Sequence, residues 1–136
     1  MNDSATETSS NETALVHSIL AAFEAHDADR LLALCTSDVV FEFPFLSLTV
    51  APDDLDRKVM RTLALMNDLA FSDVTVEPLA RPGWHLARYR AQATISTTGK
   101  DYRQTYITLV GVDDGRVTHF VEHFNTAAFM AAMRPD

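Results

Sequence analysis

A single cysteine, Cys35, occurs among the 136 residues, so no intrachain disulfide can form and the fold must rest on packing and hydrogen bonding. It ends the run LLALC, whose apolar spacing is helical, and reads as core packing rather than as a reactive thiol. Glycine is almost as scarce, with four residues, and none belongs to a loop able to cradle a phosphate. A GxSxG elbow and a serine–histidine signature are absent as well. No apolar run approaches the length of about 18 residues that a membrane-spanning helix requires. The opening MNDSATETSS has neither the basic nor the apolar region of a secretory leader, and a cytoplasmic location is expected. Basic residues are outnumbered 11 to 19, for a net charge of -8. That deficit excludes a nucleic acid partner, whose phosphates need a basic surface, and excludes an anionic membrane surface.

What is present suits one globular domain. Apolar residues make up 47% of the chain and charged ones 22%, enough for a core. Residues 1–12 are Ser, Thr, Asn and acid, and are expected to form a disordered arm ahead of a single domain over 13–136. From Thr13, Leu15, Val16, Ile19, Leu20 and Phe23 recur on one helical face. Asp27 is placed to cap a short second helix. VVFEFPF reads as a strand stopped by Pro44, and 45–52 as a loop. A third helix is expected from Pro52, with Leu55, Val59, Met60, Leu63 and Met66 as its buried stripe. The second half turns to alternation: strands over 71–79, 84–97, 102–112 and 116–124, with turns at Arg81-Pro82-Gly83, Thr98-Gly99-Lys100 and Asp113-Asp114-Gly115. Asn125 can cap a final helix, TAAFMAAM. Three helices, then an antiparallel meander, then a helical tail predict an α+β fold with helices on one face of a curved sheet.

The strand VTHFVEHFN sets one carboxylate, Glu122, among strand formers. Residues two apart share a strand face, so Glu122 goes with Thr118, Phe120 and Phe124, and His119, Val121 and His123 point the other way. The two histidines stand roughly 13 Å apart along the strand, too far to share a metal ion, and no metal site is expected. Glu42 alternates with Phe41 and Phe43 and is expected to face outward.

The order of elements, together with AFEAHDADRLLALCTSDVVFEFP and GRVTHFVEHFNTAAF, resembles the superfamily named after nuclear transport factor 2, over about residues 13–133. That superfamily includes ketosteroid isomerases, limonene-epoxide hydrolases and SnoaL-like polyketide cyclases. The resemblance implies a cone-shaped antiparallel sheet, the cystatin-like α+β barrel, with three helices on its concave face. It also implies a pocket within the cone and a homodimer through the outer sheet face. By the same resemblance His85, Tyr89, Ala91 and Ala93 of the long strand, Gln104, Tyr106 and Thr108 of the next, and Phe41 and Phe43 of the first point inward. The ketosteroid isomerase residues do not carry over: their positions hold Phe43, Ile19 and Thr108. Of the epoxide hydrolase set, Glu122 stands at one aspartate, while Tyr89 and Ala91 occupy the other two positions. Phenazine-pathway members carry a glutamate near the position of Glu122.

These residues describe an apolar pocket with one carboxylate and a few neutral donors. Glu122, Tyr106 and Tyr89 are the candidate catalytic residues. Phe41, Phe43, Met60, Gln104, Thr108, Phe120 and Phe124 are the candidate substrate-binding residues. Burial among phenylalanines raises a carboxyl pKa and suits it to carry a proton both ways near neutrality. The expected function is an isomerase, cyclase or hydratase acting on a small apolar molecule by general acid–base catalysis, with no cofactor. An epoxide hydrolase-like reaction is the alternative; it needs a second carboxylate and an arginine in the pocket, which Arg88 or Arg90 supplies only if the long strand slips through a bulge. A non-catalytic ligand-binding or dimerisation module is the other. A cavity of about 300 Å³ or more beside Glu122 favours a ligand site; a collapsed one favours the module.

Overall fold

The computed structural model describes residues 3–136, with side chains described from residue 7 onward. Helices α1 (Asp3–Glu24) and α2 (Ala28–Ala33) lead into strand β1 (Cys35–Phe43) and the short β2 (Leu48–Val50). Four long strands follow: β3 (Met66–Pro78), β4 (Trp84–Ile95), β5 (Asp101–Asp113) and β6 (Arg116–Phe124). Between β2 and β3 lie a 3₁₀ turn (Pro52–Asp54), a π-helical turn (Asp56–Met60) and the single turn α3 (Arg61–Leu63); α4 (Thr126–Met133) closes the chain. The six strands form one curved, unclosed sheet in the order β2-β1-β6-β5-β4-β3.

The sheet is not wholly antiparallel as expected. β1 runs parallel to β6, because the chain returns to the edge of β1 only after the whole meander has been laid down. Curvature comes from irregularities in β3, whose register against β4 shifts between Asn67 and Ala70 and between Ser72 and Thr75. Asp68 and Asp73 lie in those intervals with φ of 55° and 53°, a left-handed backbone that aspartate tolerates better than most residues. Such bulges bend and twist a strand locally.

Helix α1 supplies the first layer of core. Val16, Ile19, Leu20 and Phe23 are buried as their spacing predicts, and the Phe23 ring lies 6.3 Å from that of Phe41 and 4.8 Å from that of Phe120. The helix begins ten residues ahead of the expected start at Thr13. Residues 3–12, expected as an irregular arm, are helical, and the first two residues lie outside the described part. Hydroxyls that argue against a helix are accommodated within it: Thr13 Oγ1 donates to the Ser9 carbonyl at 2.8 Å and Ser18 Oγ to that of Ala14 at 3.0 Å. At its other end α1 is tied to the sheet by Phe71 N–H, which donates to Glu24 Oε2 at 2.7 Å.

The expected third helix is broken into three short helical turns, and Met66 starts β3, opposite Ile95, rather than ending a helix. Caps behave as their residue types predict. Asp27 accepts from Arg30 N and Asn125 from Ala128 N, each within the first turn of the helix it opens. The far end of α4 is held by the β4–β5 turn: Thr98 Oγ1 donates to the Ala132 carbonyl at 2.7 Å and Lys100 Nζ to that of Arg134 at 2.6 Å. At the β3–β4 turn only glycine fits position 83, where φ is +83° and a Cβ would lie 2.6 Å from the Val112 carbonyl oxygen.

Candidate active site

Strands β4, β5 and β6 carry the site because their register is continuous there. Thr108 stands directly across from Ala87 on one side and Glu122 on the other; Tyr106 stands across from Tyr89 and from Phe124. The second row forms an aromatic ladder, with ring centres 5.1 Å apart between Tyr89 and Tyr106 and 5.8 Å apart between Tyr106 and Phe124. Glu122 therefore points inward, on the face that alternation gives it in common with Phe120 and Phe124. Thr118 does not follow. A bulge between Gly111 and Val112 on one side and His119 and Val117 on the other shifts the phase, so Val117 takes the buried place and Thr118 bonds His119 instead.

Glu122 lines a cavity of about 90 Å³. One wall is sheet: Phe43, Tyr102, Tyr106 and Phe124. A second is the helical stretch before β3, through Val59, Thr62, Leu63 and the Lys58 side chain. Leu46, exposed, and Leu48 lie at the rim, and Phe129 from α4 completes the lining. The volume is well below the ~300 Å³ set out above for a substrate-sized pocket.

The carboxylate is held by one hydrogen bond, from the Tyr89 hydroxyl to Oε2 at 3.0 Å. Tyr89 Oη lies 2.8 Å from Thr108 Oγ1. The remaining oxygen, Oε1, has no partner among the described residues. It is not one of the sealed unpartnered atoms either, which among the described residues are confined to His26 and His85. Glu122 as a whole is half-buried and lines the cavity. Loss of hydration pushes the Glu122 pKa up to about 7, and the Tyr89 hydrogen bond holds it from rising further. Burial, seconded by the Glu122 charge, raises Tyr89 and Tyr106, and burial raises Tyr102. All three phenols keep their protons at neutral pH and serve as donors.

Tyr102 and Tyr106 form a second polar group on the cavity wall. Their hydroxyls are 2.8 Å apart, and Tyr102 also accepts from Gln104 Nε2 at 3.2 Å. Each phenol has one proton, and only one of the two is used in their mutual bond. The other has no acceptor among the described residues, and both phenols line the cavity. Gln104 is spent on structure: its amide also donates to the Asn125 carbonyl at 2.8 Å and accepts from Asn125 N at 3.0 Å.

Of the expected site residues, the structure brings Glu122, Tyr106, Phe43 and Phe124 to the cavity. The others are corrected. Phe41 and Phe120 are sealed with Phe23 beneath α1, since the phenylalanine-rich face continues past the cavity into the core. Met60 packs in the core, Gln104 is consumed by the β6–α4 junction, and Tyr89 and Thr108 stand behind Glu122 rather than in the wall. Sequence reasoning missed Tyr102, although it shares a face with Gln104 and Tyr106. It also missed Leu46, Leu48, Lys58, Thr62 and Phe129, which no strand alternation marks. Val59, Leu63 and Met66, expected as a buried core stripe, line the cavity. Arg88 and Arg90 are exposed on an unslipped β4, Arg88 3.5 Å from Glu77 and Arg90 3.8 Å from Asp73, and the cavity lining holds no second carboxylate and no arginine. The epoxide hydrolase arrangement is thus incomplete.

The chain matches the SnoaL-like domain over residues 16–120. Among curated proteins none matches. Solved structures match closely in shape. A Bacillus subtilis protein provisionally named an isomerase superposes with a TM-score of 0.81 at 21% identity, over 90% of this chain and 92% of that one. A provisionally named polyketide cyclase from Xanthomonas campestris pv. campestris gives 0.79 at 19%, over 92% and 98%. A Catenulispora acidiphila protein with a ketosteroid isomerase-like fold, solved in complex with trimethylamine, gives 0.75 at 12%, over 90% and 93%.

Proposed function

The chain belongs to the SnoaL-like domain family, and from that premise we propose that it is a small-molecule enzyme in which Glu122 moves a proton to and from an apolar substrate. One observation carries the reading: a carboxyl whose pKa is pushed up to about 7 presents a free oxygen to an apolar cavity. A group that titrates near the working pH both takes and returns protons efficiently. The spare phenolic proton of the Tyr102–Tyr106 pair is suited to the oxygen on which negative charge grows as Glu122 removes a proton from the neighbouring carbon. Isomerisation and cyclisation through an enol, and hydration with the same carboxyl as acid, all use these parts. No metal or cofactor has a role in this scheme.

The cavity of about 90 Å³ sets the scale of the ligand. It accepts a molecule of a few heavy atoms, and the trimethylamine held by the Catenulispora acidiphila neighbour is of that scale. A larger substrate enters only with displacement of the rim at Leu46, Leu48 and Lys58. The same small volume favours a second reading, a non-catalytic module in which Glu122 only holds the cone together through Tyr89. The exposure of Ile107 on the outer sheet face, 46% accessible, supports a homodimer through that face in either reading.

The two readings separate in heavy water. Small apolar ketones incubated with the protein gain deuterium next to the carbonyl if Glu122 enolises them, and proton NMR records the gain. Glu122→Gln is expected to fold and to abolish exchange. An absence of exchange across such a panel, or full exchange with Glu122→Gln, leaves the module as the reading.

A further inference from the structure

Two hydroxyls stand behind Glu122, and their protons can be counted. Thr108 is fully buried, Tyr89 nearly so, and neither lines the cavity. Thr108 Oγ1 has one side-chain partner among the described residues, Tyr89 Oη; that hydroxyl has two, Thr108 and Glu122 Oε2. Run one way, Thr108 donates to Tyr89 and Tyr89 donates to Oε2, and every proton has an acceptor. Run the other way, a proton on Oε2 donates to Tyr89 and Tyr89 donates to Thr108. The Thr108 proton is then left without an acceptor in a position closed to water, which proteins avoid.

We infer that Thr108 fixes the direction of this chain, so that Oε2 of Glu122 stays an acceptor in both charge states and the proton enters and leaves only through Oε1. Oε1 has no hydrogen-bond partner among the described residues, is not sealed from solvent, and belongs to a residue that lines the cavity. The carboxyl therefore works as a one-sided proton carrier, with one oxygen tethered and the other free. Thr108 acts through Tyr89 as a positioning residue: by donating to the phenol oxygen it strengthens the bond the phenol gives to Glu122. The other titratable groups around Glu122 are the phenols of Tyr102 and Tyr106 and, at the rim, the Lys58 ammonium, which lies 3.7 Å from Asp54. None of them bonds the carboxyl oxygens. The relevance of Oε1 to catalysis rests on the proposed function; the direction of the chain does not.

Infrared difference spectroscopy across the titration of Glu122 tests this without any substrate, with Glu122→Gln identifying the band. In the unmodified protein the protonated carboxyl is expected to show the lowered C=O stretch of a carbonyl that accepts a hydrogen bond. Tyr89→Phe should move that band to the higher frequency of a free carbonyl and raise the titration midpoint. Thr108→Val, which keeps the side-chain shape, should shift both in the same direction by less, and Thr108→Ser should restore them. A free-carbonyl band in the unmodified protein overturns the inference, because the proton then sits on Oε2. A Thr108→Val protein unchanged in both band and midpoint overturns it too, since Thr108 is then packing alone. These bands in a protein that exchanges no ketone protons uphold the inference and remove only the enzymatic reading.

Discussion

At the scale of single residues, Glu122 has a thermodynamic consequence apart from any reaction. Its carboxyl titrates at about 7 when folded and near its ordinary 4.5 when unfolded. Between those values the folded chain holds the extra proton, so stability is fully present below about pH 4.5 and falls as pH rises towards 7. The loss amounts to at most about 3 kcal/mol. Glu122→Gln should abolish this slope and be the more stable protein at pH 8, as denaturant unfolding at several pH values would record. Equal slopes in the two proteins would mean that the carboxyl is solvated. In the core, Phe120→Ala should cost about 3–5 kcal/mol, because its ring is sealed between Phe23 and Phe41, and thermal unfolding measures that loss. Alternation grouped Glu122 with Phe120 and Phe124 on one strand face, and the family resemblance, not alternation, implied that this face looks inward. The sealing of Phe41 and Phe120 was not legible, since alternation names a face and does not say where along that face packing ends and the cavity begins.

Elements set the shape of the cavity. The strands and their turns follow from residue types: Asp114 and Gly115 supply the two positive φ angles of the β5–β6 turn, as their pairing predicts. The stretch 52–65 was less legible. Its apolar spacing fits one helix, but the chain must turn from the β2 edge to reach β3 at Met66, and it does so through 3₁₀ and π turns. Those turns carry Lys58 and Thr62 to the cavity beside Val59, which is why periodicity marked Val59 as buried and gave no sign of the other two. Helix α4 brings Phe129 to the same cavity and depends on Asn125 for its start. Asn125→Ala should cost about 1 kcal/mol. It should also loosen that wall, seen as faster hydrogen exchange in residues 126–133 than in β5. Unchanged exchange would mean that α4 is held by its far end, at Thr98 and Lys100.

For the whole molecule, the order of helices and strands specified an α+β fold, and the family match over residues 16–120 agrees with the resemblance in the two quoted segments. The parallel pairing of β1 with β6 and the helical start at Asp3 lay beyond the sequence signal, because both depend on contacts between distant parts of the chain. The outer face of the sheet remains the proposed interface between two copies. Sedimentation should show a dimer that Ile107→Glu converts to monomer without unfolding it; a monomer at all concentrations would remove that assembly.

The proposed proton transfer requires an inward carboxyl deprived of water, and one titration reads it directly. Carbon-13 NMR of the Glu122 side-chain carboxyl, assigned with Glu122→Gln and followed from pH 3 to 9, should give a midpoint at about 7. A midpoint near 4.5, the ordinary glutamate value, would contradict it.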